Sequence, residues 1–272
     1  MPFGVSLATA VCNRLIKGIL ASCSEHGKSF VESFVDDIVV VSYSLLDHIR
    51  HVSCVLSKLS EAGLKIKKSK CHFAFSKLKL LGFVVGEGSV QTDEEKVKAI
   101  TDFPQPKTKK DMRSFLGVVG FYRRFLPDAA SKISSLTETL KKNAPNCIEW
   151  SESLETTFKG IKSEFVNSVC LHIPLPDHPF ILQSDACDKG IGAVLLQSVD
   201  GVERPVTFIS RKLNGAESRF SIIEKECLAI VYAVKKLHHY LYGQKFKIRT
   251  DHAPFIRTSG TFCRTNCSLP MS

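Results

Sequence analysis

The most informative segment of the sequence is Ser33-Phe34-Val35-Asp36-Asp37-Ile38-Val39-Val40-Val41, in which two adjacent carboxylates interrupt an apolar, β-branched run. Val and Ile favour strands and Asp-Asp favours a tight turn, so the pattern predicts a buried hairpin with both acids at its tip. Acids there cost free energy unless a cation or hydrogen-bond donor compensates them. Mg2+ is the simplest such partner, because hard cations take carboxylate oxygens. The alternative is an ordinary Asp-Asp turn in water.

Composition sets the broad class of the protein. The 272 residues are enough for two modest domains, and 44% hydrophobic with 24% charged residues is an ordinary globular composition. We expect an intracellular protein with no membrane partner, because no apolar run is long enough to span a bilayer and no signal peptide is visible. The net charge of +10 indicates a polyanionic partner.

The ten cysteines are scattered singly along the chain, several of them inside apolar stretches. This spacing predicts reduced thiols rather than a disulfide framework. Cys263 and Cys267 have no second Cys/His pair nearby, so they do not predict a zinc site.

Hydrophobic spacing over residues 45–61 predicts a helix that ends before Gly63. Strand patterns follow over 71–75 and 78–85, with a turn at 86–88. The predicted buried stripe of the helix is Leu45, Ile49, Val52, Leu56 and Leu59.

Three further helices are predicted, over 93–101, 129–142 and 151–169, together with a long helix capped by Thr108. The predicted apolar stripe of the long helix is Met112, Phe115, Leu116, Val119 and Phe125. Its other side is basic, which fits either a phosphate backbone or a solvated face. The basic residues are Lys109, Lys110, Arg113, Arg123 and Arg124.

Beyond the prolines at 174, 176 and 179 the pattern changes to strands. Strands are predicted over 180–185, 192–197 and 204–210, with a hairpin turn at Asp200-Gly201. A helix over 218–242 and a strand over 246–250 follow. The order β-β-β-α-β predicts a mixed α/β domain with a long helix on a sheet.

A second group of carboxylates lies in this half of the chain. Asp185 and Asp251 each end a predicted strand, and Glu226 lies in the long helix. At 100° per residue, Glu226 falls in the middle of the apolar face and Glu224 nearly opposite. Three inward acids could hold two Mg2+ ions for phosphodiester cleavage; the alternative is three unrelated acids, one half-buried and paired with a lysine. The apolar face comprises Ile222, Ile223, Ala229, Ile230, Ala233 and Leu237.

The ordered series of motifs from residue 2 to 254 resembles the Pol region of Ty3/Gypsy retrotransposons. The motifs that resemble a reverse transcriptase palm are Met1-Pro2-Phe3-Gly4, Phe34-Val35-Asp36-Asp37, Gly63-Leu64-Lys65, Lys70-Cys71 and Leu81-Gly82-Phe83-Val84-Val85. Those that resemble the following thumb and connection are Ser114-Phe115-Leu116-Gly117 and Phe121-Tyr122-Arg123-Arg124-Phe125. Those that resemble the attached ribonuclease H domain are Ser184-Asp185-Ala186, Phe208-Ile209-Ser210-Arg211-Lys212-Leu213, Glu224-Lys225-Glu226-Cys227-Leu228-Ala229-Ile230-Val231 and Thr250-Asp251-His252.

The resemblance implies roles for individual residues. Asp36 and Asp37 would be catalytic metal ligands at the primer end, with Phe34 where the family commonly has tyrosine. Phe3 and Gly4 would line the nucleotide pocket. Leu81 and Gly82 would grip the primer. In the ribonuclease, the implied catalytic and metal-binding acids are Asp185, Glu226 and Asp251.

The resemblance further implies an α/β (α+β) fold with boundaries at 1–88 for the palm part, 89–172 for thumb and connection, 173–255 for the ribonuclease H-like domain and 256–272 for an unrelated tail. The implied cofactor is Mg2+ in two-metal sites, and the implied partners are primer–template or RNA/DNA hybrid and dNTP. Only Met1 precedes Pro2, where the family has fingers and a further aspartate, and a fourth ribonuclease aspartate would lie beyond Asp251. We therefore expect no polymerase activity and weak or absent ribonuclease activity from this chain alone. The rivals are a non-catalytic nucleic-acid-binding remnant and an unfolded gene product.

Overall fold

The computed structural model describes residues 8–35, 37–167 and 169–250. The chain divides into two compact units, Met1–Ser76 and Lys77–Ser272, which we call the first and second units. The boundaries after residues 88, 172 and 255 remain predictions, and the tail 256–272 lies outside the described residues.

The first unit is two helices around a hairpin. Helix α1 (Ala8–Leu20) is followed by the short strands β1 (Ser24–Glu25) and β2 (Lys28–Ser29). The hairpin consists of β3 (Val31–Phe34) and β4 (Asp37–Val40), paired antiparallel, and helix α2 (Leu45–Glu61) follows. Its small core is built from Ile16, Leu20, Cys23, Val31, Val55 and Leu59.

Helix α2 has the predicted bounds, because Ser44 caps its first turn through the Asp47 amide and Gly63 follows its end with a φ of +73°. Most of the predicted buried stripe is wrong, since Leu45, Ile49 and Leu56 are 65%, 56% and 39% exposed. Leu59 is buried as predicted, and with the buried Val55 it centres the contact about 60° round the helix from the predicted centre. The apolar arc of α2 is wider than the contact it makes, and packing on the hairpin selects one edge of it.

Two strand predictions between the helices are also corrected. Residues 71–75 form no strand, because Ala74 takes a left-handed conformation (φ +57°) that interrupts extended backbone. Residues 78–85 form a hairpin rather than one strand, with left-handed Leu81 and Gly82 at its turn. The hairpin strands are β5 (Lys77–Leu80) and β6 (Phe83–Gly86).

The hairpin belongs to a four-stranded sheet at the start of the second unit. Strand β7 (Ser89–Thr92) pairs with β6 through the predicted glycine turn, and β8 (Leu171–His172) pairs with β7. Between β7 and β8 the chain forms α3 (Glu94–Thr101), α4 (Lys109–Phe121), α5 (Ala129–Glu138) and α6 (Glu152–Val166).

The caps of these helices follow from the sequence. Asp93, Thr108 and Ser151 each accept a first-turn amide, and Thr108 and Asp111 form a reciprocal capping box. The long helix ends earlier than predicted, at Phe121, and residues Arg123–Phe125 form a 3-10 turn. Even so, Phe125 is buried, in a core that includes Met112, Phe115, Val119, Leu136, Phe158 and Phe165.

The last part of the second unit is the predicted mixed sheet. Strands β9 (Phe180–Ala186), β10 (Gly190–Val199) and β11 (Val202–Lys212) are antiparallel, and β12 (Phe246–Arg249) is parallel to β9. The β10–β11 turn is Asp200-Gly201, as predicted. The predicted single helix is two, α7 (Ile222–Lys236) and α8 (His238–Leu241). The core beneath α7 includes Leu182, Leu195, Ala233 and Leu237.

In the described parts of the chain, no helix combines the length and the apolar character needed to cross a bilayer. The eight described cysteines are free thiols, in agreement with the sequence prediction. Cys263 and Cys267 lie outside the described residues.

Candidate carboxylate sites

The first turn of α7 separates Glu224 from Glu226. Ser221 and Glu224 form a capping box, in which the Glu224 carboxylate accepts the Ser221 amide at 2.8 Å. Glu224 is therefore exposed, whereas Glu226 is only 4% exposed. The inward placement predicted for Glu226 is confirmed. Two members of the predicted apolar face, Ile222 and Ile223, are exposed instead, because the first turn extends past the sheet core.

Glu226 reaches the end of β9. Its Oε1 atom accepts a hydrogen bond from the Ala186 amide at 3.3 Å, and Ala186 directly follows Asp185. Asp185 is exposed and pairs with Gly192 of β10. The structure thus brings together two of the three predicted ribonuclease acids. The third, Asp251, lies outside the described residues, although β12 runs parallel to β9 and its last residue, Arg249, pairs with Gln183.

A buried lysine ties the turn after Asp185 to the helix that carries Glu226. The Lys225 side chain is 9% exposed, and its Nζ lies 3.1 Å from Asp188 Oδ1 in the β9–β10 turn. Asp188 is almost fully exposed, so the ammonium reaches solvent at the tip of a buried stem. Helical periodicity did not reveal this contact, because Lys225 lies between the outward Glu224 and the inward Glu226.

The start of α5 packs against the sheet beside Asp185. A Cβ atom on Gly192 would lie 2.7 Å from Asp128 Oδ1, so any larger residue there would have to displace this carboxylate. On the neighbouring strand, Ser210 Oγ accepts the Ala130 amide at 3.0 Å. The Ser210 carbonyl also accepts from the Arg123 guanidinium and, at 3.4 Å, from the Tyr232 hydroxyl. Ser210 therefore joins the helical part of the second unit to its sheet.

The hairpin of the first unit places Asp37 at its tip, as predicted. Phe34 and Asp37 are paired across the turn, and Val35 is left-handed (φ +54°). The expectation of buried acids is wrong for Asp37, which is exposed, as in the alternative of an Asp-Asp turn in water. Phe34 is 58% exposed. Asp36, Phe3 and Gly4 lie outside the described residues.

One histidine holds the opposite end of this hairpin. The His51 ring stacks on Phe30, the residue before β3, with 3.8 Å between the ring centroids. Its Nδ1 lies 2.8 Å from Ser42 Oγ, just after β4, and its Nε2 lies 2.9 Å from Glu25 Oε2. His51 thus contacts the chain both before β3 and after β4, at the open base of the hairpin. Sequence reasoning missed it, since a histidine within an amphipathic helix carries no distinct signal.

The predicted primer-grip residues lie in the β5–β6 turn. Leu81 is exposed, and the Gly82 carbonyl accepts the Tyr122 hydroxyl at 2.8 Å. Burial raises the pKa of this hydroxyl. A Cβ atom on Gly82 would lie 3.3 Å from the Tyr122 hydroxyl oxygen. The Phe83 and Phe121 rings stack with 5.1 Å between their centroids. The turn is therefore fixed to the end of α4.

Three of the five cations of the predicted basic face make contacts within the second unit. Lys109 Nζ donates to the carbonyls of Lys141 and Ala144, Arg123 donates to Ser210, and Arg124 lies over the Phe83 ring at 5.8 Å. Lys109 and Arg124 are half-buried, whereas Lys110, Arg113 and Arg123 are exposed. A separate exposed basic segment of the first unit comprises Lys65, Lys67, Lys68 and Lys70.

Among residues 8–35, 37–167 and 169–250, no three His, Cys, Asp or Glu side chains are grouped closely enough to hold a metal ion. Each predicted metal site has one acid outside this set, Asp36 in the hairpin and Asp251 after β12.

Two known families match the chain, one in each half. Residues 1–85 match the family described as reverse transcriptase (RNA-dependent DNA polymerase). Residues 150–248 match the RNase H-like domain found in reverse transcriptase.

Similar proteins cover nearly the whole chain. The Pol polyprotein from transposon 297 of Drosophila melanogaster is 37% identical over 93% of this chain, and that from transposon gypsy is 35% identical over 93%. The Transposon Tf2-3 polyprotein of Schizosaccharomyces pombe is 34% identical over 94%. The chain spans 23%, 25% and 19% of these relatives.

The fold is that of a solved structure of the foamy viral protease-reverse transcriptase in complex with dsDNA, with a TM-score of 0.82 and 20% identity, over 98% of this chain and 55% of that one. A second foamy viral structure, in complex with an RNA/DNA hybrid, has a TM-score of 0.79 over 98% of this chain and 36% of that one. By these matches the chain belongs with the Ty3/Gypsy-type Pol polyproteins of transposons, and it carries a reverse transcriptase segment followed by an RNase H-like segment.

Proposed function

We propose that this chain is a working part of RNA-directed DNA synthesis and of RNA cleavage in RNA/DNA hybrids, within a longer Pol polyprotein. The observation that carries the proposal is the buried Glu226, whose Oε1 accepts the Ala186 amide next to Asp185. A carboxylate is not buried without compensation, and its place beside a second acid at a strand end suits cation binding.

The residues of the RNase H-like segment fit Mg2+. Asp185, Glu226 and Asp251 would hold it, because carboxylate oxygens are the ligands that this hard cation prefers. Such an ion supplies charge stabilisation to the attacking and leaving oxygens of a phosphodiester. The chain's own contribution is to hold Glu226 in place through the Ala186 amide and to anchor the adjacent turn through Lys225 and Asp188.

In the reverse transcriptase segment, Asp36 and Asp37 would bind Mg2+ at the primer end. Phe34 borders them, with Phe3 and Gly4 lining the pocket for the incoming dNTP. Leu81 and Gly82 would contact the primer strand. The exposed Asp37 and Phe34 at the hairpin tip and the exposed Leu81 support these roles.

The first test compares two glutamates on the same helix. Mn2+ binding to the full chain is followed by water-proton relaxation, and cleavage of a labelled RNA/DNA hybrid is followed in Mg2+. Glu226→Gln is expected to weaken Mn2+ binding by about tenfold or more and to reduce any cleavage by about 100-fold, because it removes a ligand. The matched control Glu224→Gln leaves both unchanged. Equal effects of the two variants would refute the site.

The second test addresses the polymerase. The isolated chain is expected to show no templated primer extension with Mg2+, and templated synthesis would overturn that expectation. If synthesis is seen, Asp36→Asn and Asp37→Asn should abolish it, whereas Asp47→Asn, in the first turn of α2, should not. Synthesis that survives Asp36→Asn would exclude the proposed hairpin site.

A second candidate function is non-catalytic binding of nucleic acid. The net charge of +10 and the exposed Lys110 and Arg113 favour it. Affinity for a hybrid should fall steeply with salt, and Lys110→Ala with Arg113→Ala should reduce the slope of log affinity against log salt by about 2. Binding that is unchanged by Asp36→Asn, with no Mn2+ affinity at Glu226, would favour this candidate.

A further inference from the structure

Two cysteines of the first unit meet in its core. Cys23 follows α1, Cys54 lies in α2, and their Sγ atoms are 3.7 Å apart. Cys23 is fully buried and Cys54 is half-buried. The two sulfur atoms are thus in van der Waals contact, and one of them is within reach of a solvent-borne oxidant.

We propose that Cys23 and Cys54 are a modification site, at which oxidised glutathione generates an intramolecular disulfide that locks the hairpin of the first unit. The bond would close the loop of residues 23–54, which contains β3 and β4 with Phe34 and Asp37 at their tip. The proposal does not depend on the function proposed above, because it concerns only this pair and the loop between them.

The chemistry proceeds in two exchanges. The Cys54 thiolate attacks one sulfur of oxidised glutathione, forming a mixed disulfide and releasing one glutathione thiolate. Cys23 then loses its proton, attacks the Cys54 sulfur and releases the second glutathione. Two protein thiols are oxidised, one glutathione disulfide is reduced to two thiols, and two protons pass to the released glutathione.

The surroundings of the pair set the order of these steps. Burial raises the pKa of the Cys23 thiol to about 11, and its contact with Cys54 acts in the same direction. Cys23 is therefore a poor first nucleophile, and Cys54 reacts first. In a reducing cytosol both thiols stay reduced, so the lock forms only when the glutathione pool becomes oxidised.

The consequence of the bond is local rigidity. A crosslink over about 30 residues removes conformational freedom from the unfolded chain and stabilises the folded loop. The disulfide would add to the contacts that His51 already makes in this loop. Its partners Phe30, Ser42 and Glu25 all lie between Cys23 and Cys54.

The test uses the full chain, treated with oxidised glutathione, quenched with N-ethylmaleimide and digested without reductant. We expect one linked pair of peptides containing Cys23 and Cys54, about 2 Da lighter than the two separate thiol peptides. The melting temperature should rise by about 5 °C or more, and dithiothreitol should reverse the rise. Recovery of Cys54 as a glutathione adduct, with Cys23 still alkylated after unfolding, would overturn the proposal.

Matched variants separate the crosslink from other effects. Cys12→Ser, at a third cysteine packed against the same core, should leave the linked peptide and the stability gain intact. Cys54→Ser and Cys23→Ala should each abolish both, and the use of two variants guards against a folding defect in one of them. A gain in melting temperature that persists in Cys54→Ser would refute the lock.

Discussion

The two carboxylate sites of this chain use the same residue types in opposite surroundings. Asp37 stands exposed at a hairpin tip, where water solvates it, whereas Glu226 is buried and accepts the Ala186 amide. An exposed acid costs little to keep, whereas a buried one costs free energy unless a hydrogen-bond donor or a cation compensates it. The difference identifies Glu226 as the acid whose position the fold itself maintains.

The two compact units also differ in how completely their apolar side chains are buried. The core of the second unit includes fully buried phenylalanines at 115, 125 and 165, while the first unit leaves large apolar side chains of α2 exposed. Burial of apolar surface is the main source of stability. The second unit should therefore tolerate changes at its surface and fail at its core, and the first should depend more on individual polar contacts.

The largest expected effect is in the core of the second unit. Phe115 is fully buried between Phe103 and Phe158, so Phe115→Ala should destabilise the unit by about 3–5 kcal/mol. Ile49→Ala in α2, at a position that sequence periodicity assigned to the core, should cost less than about 1 kcal/mol. Denaturant unfolding of both variants measures this, and similar losses would contradict the contrast between the units.

The next effect is at the base of the hairpin. His51→Phe keeps a ring on Phe30 but removes the hydrogen bonds to Ser42 and Glu25, and it should cost about 1–2 kcal/mol. His72→Phe, at an exposed position of the same unit, serves as the control and should change stability by less than about 0.5 kcal/mol. Thermal unfolding of the two variants would show a polar dependence of the first unit, and equal values would disprove it.

A smaller effect of opposite sign is expected at Glu226. Without divalent metal, Glu226→Gln should stabilise the chain by about 1 kcal/mol, because it removes a buried charge while keeping an oxygen that can accept the Ala186 amide. Asp37→Asn should leave stability within about 0.5 kcal/mol of wild type. Calorimetry in the presence of a chelator measures the stability of both variants. An equal stabilisation by Asp37→Asn would contradict the contrast between the two sites.

The smallest effect concerns pH. Arg211 binds Glu217 through two hydrogen bonds, at 2.7 and 2.9 Å, which lower the pKa of the Glu217 carboxyl to about 2. A lowered folded-state pKa gives stability that is present above the unfolded value of 4.5 and is lost as pH falls toward 2. Between pH 6 and pH 3 the melting temperature of wild type should fall more than that of Glu217→Gln. Parallel curves would show that the pair contributes nothing.

Local sequence rules account for the motifs, most helix starts and the inward direction of Glu226. These depend on local rules: Ser44, Thr108 and Ser151 cap their helices because each side chain satisfies a nearby amide, and helical geometry alone separates Glu226 from Glu224. The Asp200-Gly201 turn follows from the same local preference.

Contacts between elements determine which apolar edge of α2 is buried, that 78–85 is a hairpin, and which groups Lys109, Arg123 and Arg124 contact. The tertiary structure also decides the contacts of His51, of Lys225 with Asp188 and of Cys23 with Cys54. Each joins residues distant in sequence, and no periodicity along one element specifies which side chain of another element it will meet. The physical reason is that packing is a property of pairs of surfaces, whereas sequence patterns describe one surface at a time.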